Sequence, residues 1–154
     1  MDDEAELRDF VREALSSDDE VLAALDAEWR AAARAHRGAS RMLAEDPHRL
    51  GLATLRGLAG WRVLVGGVDG AVAGTLALAT AGSIATISRV YVTADARGLG
   101  IGESLVTRAL EASWHAGCRS VDALALPGDR ETKNLYERTG LVARLIVAST
   151  DRPE

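Results

Sequence analysis

Residues 87–106, ISRVYVTADARGLGIGESLV, place a β-branched strand, a turn holding Gly98, Gly100 and Gly102, and the start of a helix in immediate succession. That order constrains the fold, because the strand must hand over to the helix within a few residues and the helix must then pack back on a sheet. It also builds a chemical site. The first turn of a helix leaves backbone N–H groups unsatisfied, and here they are presented at a strand end where an anion can collect them. Glycine suits such a turn: without a Cβ, phosphate oxygens approach the backbone and successive amides converge on one pyrophosphate.

Three phosphate motifs compete for the turn. A P-loop ends in Gly-Lys-Ser/Thr, whereas Gly102 is followed by Glu103 and Ser104, so no basic residue follows to reach a terminal phosphate. A dinucleotide fingerprint needs G-x-G-x-x-G and an acidic residue about twenty positions on, at a strand end. Here Gly98, Gly100 and Gly102 alternate, and Asp122 falls inside its expected strand. The third pattern, R-x-x-G-x-G after a strand ending in Val-Tyr-Val, fits Arg97, Gly100 and Gly102 without adjustment.

The rest of the chain is read by periodicity. Leu7, Phe10, Val11, Ala14 and Leu15 share a face at helical spacing, which predicts a helix over 4–15. Ser17-Asp18 can cap a second helix running to about Arg37, with Val21, Leu22, Leu25 and Trp29 as its apolar stripe. Over 38–60, Arg41–Ala44 reads as a short strand and Pro47 as the first residue of a helix to about Ala59, with an irregular loop as the alternative. From Trp61 the pattern turns to strands: Arg62–Gly66, the turn residues Val68-Asp69-Gly70, Ala71–Thr80, then Ile84–Val92. A helix over 103–116 ends at Gly117, a strand covers 120–126, Asp129 caps a helix to about Arg138, and Leu141–Ala148 is a last strand. The expected class is α/β, a central mixed and mostly antiparallel sheet flanked by helices with an N-terminal helical segment, in one domain over 1–154.

With 154 residues, 47% of them hydrophobic and 27% charged, the chain has the composition of one globular domain. A net charge of -5 and only 4% aromatic residues argue against a phosphate-tracking or base-stacking nucleic-acid binder. The charge is uneven: Met1 to Glu28 holds eleven acidic residues against Arg8 and Arg12, a net of -9, so the remainder carries +4. The uncharged stretch between Asp69 and Arg89 is broken by Ala81-Gly82-Ser83 into strand-length pieces, so no membrane span is expected. The opening MDDEAELRDF lacks the basic and apolar regions of a signal peptide, and the expected location is the cytoplasm. His36, His48 and His115 lack ligand spacing, so no metal is expected. Cys118 reads as a small apolar filler, and Trp29, Trp61 and Trp114 as core or interface residues.

The run VYVTADARGLGIG, Val90 to Gly102, with Asn134-Leu135-Tyr136-Glu137 and the Gly140-Leu141 step about thirty residues on, resembles the GNAT superfamily of acyl-CoA-dependent N-acyltransferases. The resemblance covers about residues 61–148 and is specific for the CoA half; over the first sixty residues the family's opening strand is not evident. It implies acetyl-CoA as co-substrate, with the backbone of Val90, Tyr91 and Val92 pairing with the pantetheine arm like an added strand. An amide there would stabilise an oxyanion. It implies that Arg97, Gly98, Leu99, Gly100, Ile101 and Gly102, with the amide of Glu103, cradle the pyrophosphate, that Asn134 hydrogen-bonds the CoA arm, and that Tyr136 donates a proton to the departing thiolate. The implied activity is transfer of an acetyl group to a primary amine of a small molecule or peptide, with residues before 61 on the acceptor side. A non-catalytic acyl-CoA-binding module of the same fold is the alternative.

The chain departs from the family at one place. Many relatives carry a glutamate base just before Val-Tyr-Val, and here Ser88 and Arg89 stand there. A guanidinium stays protonated and is no base, so Arg89 is expected as a solvated strand residue and no base is assigned. The acids of the N-terminal arm, Asp18, Asp19 and Glu20 among them, are expected to border the acceptor entrance and favour a cationic amine. A homodimer is expected from the apolar final strand and the tryptophans.

Overall fold

A computed structural model describes residues 8–154. Its elements run β1 (Asp9–Glu13), α1 (Asp19–Ala33), α2 (Ala39–Ala44), α3 (Leu52–Arg56), β2 (Trp61–Val68), β3 (Ala71–Ala79), β4 (Ile84–Val92), α4 (Ile101–His115), β5 (Ser120–Ala123) and α5 (Arg130–Arg138). The strands form one sheet in the order β1-β2-β3-β4-β5, antiparallel except for the parallel β4–β5 pair. This is the expected mixed sheet flanked by helices.

Local chemistry explains most elements. Asp69 and Gly70 adopt φ of 52° and 79°, so the β2–β3 hairpin closes in two left-handed residues whose twist matches that of the strands. α1 begins with Asp19 and Glu20 and has Arg30 in its last turn, each placed to suit the helix dipole. Gly117 ends α4 at φ 84° as a left-handed cap. The Asp129 carboxylate accepts from the Thr132 N–H at 3.1 Å, capping α5.

The sheet has two buried faces. On one, Leu64, Leu76, Leu78, Ile87 and Val90 pack under α4 residues Ile101, Leu105, Val106 and Ala109. A Cβ at Gly74 would stand 3.2 Å from Ile101 and Leu105, so the bare backbone of that strand is what lets α4 lie close. On the other face, Val63, Val65 and Ala77 pack under Leu22 of α1 and Leu52 and Leu55 of α3.

Five expectations are corrected. The helix over 4–15 is replaced, within the described residues, by strand β1; Phe10 to Glu13 pair with Gly67 to Leu64 of β2, and that ladder outweighs a helical periodicity which five residues cannot secure. The part of that expectation before residue 8 lies outside the described residues. Arg41–Ala44 belongs to helix α2 rather than a strand, and the helix expected from Pro47 is confined to Leu52–Arg56. Leu141–Ala148 is not a strand: no ladder among the described residues meets it, and Leu145, Ile146 and Val147 are 86%, 90% and 80% exposed. Arg89 is not solvated but 1% exposed. Among the described residues no helix is long and apolar enough to cross a membrane.

Candidate active site

The site arises from one irregularity in β4. Opposite β3, Ala77 faces Arg89 and Leu78 faces Ile87, which leaves Ser88 as an extra, bulged residue. β5 follows β4 only from Ile84 to Ile87, with a last backbone bond from Leu124 N–H to Ile87 O at 3.1 Å. Past the bulge the two strands separate. Val90, Tyr91 and Val92 remain paired with β3 on one side and have a free edge on the other. Such an edge takes up an extended ligand by backbone hydrogen bonding.

A cavity of about 450 Å³ opens along this edge, lined by Val90, Tyr91, Val92, Arg97, Gly98, Gly100, Ile101, Gly102, Glu103, Glu131, Thr132, Leu135 and Arg138. After a short 3-10 turn at Ala94–Ala96, the chain reaches α4 through Gly98 and Gly100 at φ 84° and 81°, conformations that L side chains rarely adopt. No side chain caps the α4 N-terminus, so its first-turn amides are open to an anion. Two guanidiniums flank them: Arg97 donates to Val92 O at 3.3 Å and pairs with Glu131 at 3.1 Å, and Arg138 pairs with Glu103 at 2.7 Å.

Nine of the anticipated binding residues therefore line one cavity: Val90, Tyr91, Val92, Arg97, Gly98, Gly100, Ile101, Gly102 and Glu103. Leu99 is 45% exposed and not part of the lining. Asn134 is exposed on α5 and is not among the residues lining the cavity, whereas Thr132 and Leu135 of the same helix are. Tyr136 is buried, and its hydroxyl donates to Leu124 O at 2.8 Å where β5 leaves β4. Burial, and then the nearby Asp129 charge, raise its pKa well above that of an ordinary phenol.

Sequence reasoning missed what lies behind the bulge. Arg89 donates to Asp26 at 2.7 Å and to Pro47 O at 3.0 Å, and its guanidinium lies 4.6 Å from the centre of the Trp29 ring. Asp26 also accepts from Arg30 at 2.8 Å, and Arg30 in turn holds His48 O and Leu50 O. His48 stacks on Trp29 and its Nε2 meets Ser88 O at 3.2 Å, satisfying the carbonyl that the bulge removes from the ladder. Burial first, and then the positive charge of Arg89, lower the His48 pKa. The one signal in the sequence was an arginine in an otherwise uncharged strand; its partner Asp26 lies 63 residues away.

A smaller cavity of about 90 Å³ adjoins the first on the α1 side, and its lining includes Trp29, His36, Tyr91, Leu124, Asp129 and Glu131. Glu28 stands at this side too, accepting from the Tyr91 hydroxyl at 3.4 Å. The anticipated acidic border is corrected in its members: Asp18 pairs with Arg12 at 2.7 Å and Asp19 with Arg56 at 3.3 Å, so these acids are neutralised by the body of the protein. Glu28, Asp129 and Glu131 are the acids on the side of the smaller cavity, and Glu103 lines the larger one at the first turn of α4.

Comparison with known proteins agrees with this architecture. Residues 22–141 match the model of the acetyltransferase (GNAT) family. No curated protein matches in sequence. Among solved structures, a ribosomal-protein-alanine N-acetyltransferase from Brucella melitensis biovar Abortus 2308 superposes with a TM-score of 0.70 at 18% identity, over 93% of this chain and 99% of the other. A transcriptional regulator from Bacillus halodurans C-125 gives 0.69 at 20% identity, over 94% and 100%. The aminoglycoside N-acetyltransferase AAC(6')-Iy, in complex with CoA, gives 0.67 at 14% identity, over 95% of each chain. At these identities the likeness is one of fold.

Proposed function

Because the chain belongs to the GNAT acetyltransferase family, we propose that it is an N-acetyltransferase that takes the acetyl group of acetyl-CoA to a primary amine, working as a single domain in the cytoplasm. The observation that carries this reading is the single cavity joining the free edge of β4 to the uncapped first turn of α4. The residues present suit the co-substrate. The open amides and Arg97 and Arg138 match a pyrophosphate, and the free edge of Val90–Val92 matches an amide-bearing arm. When bound, acetyl-CoA supplies an activated acyl thioester.

The chain's own residues divide the remaining work. Arg97 and Arg138 supply charge, the glycine turn supplies backbone donors, and Leu135 closes the cavity floor against Gly102, whose Cβ position lies 3.1 Å from that leucine. Tyr136 is the proton-donor candidate. Its raised pKa keeps the phenol protonated, but it also makes a complete transfer to a thiolate of pKa about 8.5 strongly uphill, so its contribution to rate is modest. Glu28 is the acid best placed to receive a proton from an incoming amine, directly or through water, because it already meets Tyr91 beside both cavities. Glu28 and Asp129, neither of them in an ion pair among the described residues, together favour a cationic acceptor.

The test is calorimetric titration with acetyl-CoA followed by an amine panel read out as free CoA thiol. Arg97→Glu, at a half-exposed position outside the core, is expected to weaken acetyl-CoA binding at least about tenfold, the effect of about 1.4 kcal/mol. Unchanged affinity removes the assigned site. Binding without turnover of any amine supports the non-catalytic module instead, a reading favoured by Arg89 standing where relatives carry their base.

A further inference from the structure

Val90, Tyr91, Arg97, Glu131 and Thr132 line both cavities. Arg97 and Glu131 are the two of these that carry charge at neutral pH, and they pair with each other at 3.1 Å where the cavities adjoin. The contact is a light one. Among the described residues Arg97 donates one hydrogen bond, from Nε to Val92 O, and the Glu131 contact falls on that same nitrogen, so its two terminal amino groups are left without a protein acceptor. The Arg97 and Glu131 side chains are 40% and 65% exposed, and an ion pair so open to water is weak. A phosphate suits the guanidinium better, because its oxygens accept from the planar fork through two parallel N–H bonds.

One positive charge cannot neutralise two anions. In the free protein Arg97 offsets Glu131, which leaves Glu28 and Asp129 as the unpaired acids on the side of the smaller cavity among the described residues. Once Arg97 faces a pyrophosphate, Glu131 loses its counter-charge and presents a full negative charge to the smaller cavity. Its place in the first turn of α5 suits that charge, because the positive end of the helix dipole lies there. The other guanidinium of the site permits no such exchange: Arg138 and its partner Glu103 line the larger cavity alone.

We propose, on the reading of the larger cavity as the acetyl-CoA site, that Glu131 sets the preference for a cationic amine and is masked by Arg97 until the donor binds. The arriving pyrophosphate takes the charge of Arg97, and the unmasked carboxylate joins Glu28 and Asp129 in holding the ammonium group. The loaded protein therefore binds a cationic amine more tightly than the empty one does, and binds a neutral molecule of the same shape no more tightly. Coupling of this kind is reciprocal, so the amine tightens the donor by the same factor. Selection by charge thus operates only when an acyl group is at hand.

The test uses the full chain, CoA as an unreactive donor, and n-propylamine with 1-propanol as its neutral isostere. Binding is followed by nuclear magnetic resonance at the indole N–H of Trp29, which lines the smaller cavity, its signal assigned by comparison with Trp29→Phe. Saturating CoA is expected to tighten n-propylamine at least about fivefold, the lower end of coupling between sites, and to leave 1-propanol unchanged. Glu131→Gln is expected to bind CoA more tightly than the wild type and to lose the gain for n-propylamine. Glu111→Gln, at an exposed position of α4 that lines neither cavity, is expected to keep it. A gain of the same size in Glu131→Gln, an equal gain for 1-propanol, or no gain in the wild type overturns the proposal while the acetyl-CoA reading stands. So does n-propylamine that leaves the Trp29 signal unmoved with CoA bound. A wild-type chain that does not bind CoA overturns that reading and the proposal with it.

Discussion

Replacing Asp26 by asparagine removes the only carboxylate from a buried cluster that contains two guanidiniums. Arg89 is 1% exposed and Arg30 lies beside it; both lose their shared counter-charge, and because the carboxamide keeps one acceptor oxygen and replaces the other with an NH2 donor, one guanidinium also faces a donor where it had a carboxylate oxygen at 2.7 or 2.8 Å. With charge centres about 4 Å apart and an effective dielectric of about 20, one such attraction is worth about 4 kcal/mol, and removing one member of a buried pair costs about 3–5 kcal/mol. An expected loss of about 4 kcal/mol consumes much of the roughly 5–15 kcal/mol that holds a domain folded. At roughly 2–4 °C per kcal/mol for a chain of this size, the melting temperature falls by roughly 8–16 °C. Arg89→Met behaves differently, because Asp26 keeps Arg30 and the methionine fills the space under Trp29. The loss there is the stacking on Trp29 and the bond to Pro47 O, together about 1–2 kcal/mol. Urea denaturation followed by circular dichroism on both variants measures the difference. An Asp26→Asn variant that costs no more than Arg89→Met would refute the view that the carboxylate is the shared counter-charge of the cluster.

The Arg12 hydrogen bonds and the Leu15 N–H hold the Asp18 carboxyl down to about 2 against the opposing effect of burial, from an ordinary value of 3.8. The folded state therefore binds this proton less readily than the unfolded state, which makes the ionised carboxylate worth about 2 kcal/mol above pH 4, lost as pH falls from there through about 2. The stability gap between wild type and Asp18→Asn should close over that window; a gap independent of pH contradicts the assignment. His48 is lowered, so the unfolded chain takes its proton first, and stability should decline on acidification below about 6.5, a slope that His48→Gln flattens. Tyr136→Phe leaves Leu124 O without its donor and should cost about 1 kcal/mol, with turnover lowered less than about tenfold and acetyl-CoA affinity unchanged; an unaltered rate leaves this residue a brace for β5. Glu28→Gln should lower kcat/KM for cationic amines and shift the acid limb of the pH profile, and an unmoved profile excludes it as the proton acceptor.

What could be read from the sequence was what local chemistry determines. The Asp-Gly hairpin, the glycine turn into α4, the Asp129 cap and the Gly117 stop each depend on residues within a few positions, and each stands where it was expected. What could not be read depends on distant partners. DFVRE has helical spacing in its neighbours and is a strand only because β2 pairs with it. Arg89 is a surface residue by type and a core residue by virtue of Asp26, Trp29 and Pro47. Asn134 and Thr132 differ by two positions on α5, about half a helical turn, and the phase of that helix against α4 decides which one meets the cavity.

Ser88 shows how little sequence separates a cleft from a closed sheet. Ile87 and Val90 are three positions apart, yet both face the α4 core, a parity that an unbroken strand forbids and one surplus residue restores. Deleting that single codon would keep every neighbouring side chain on its present face while removing the kink at which β5 parts from β4. The two strands could then zip together over the length that now borders the cavity. A binding cleft here is a matter of odd and even counting, which a lineage can gain or lose through one in-frame insertion or deletion without changing any residue of the core.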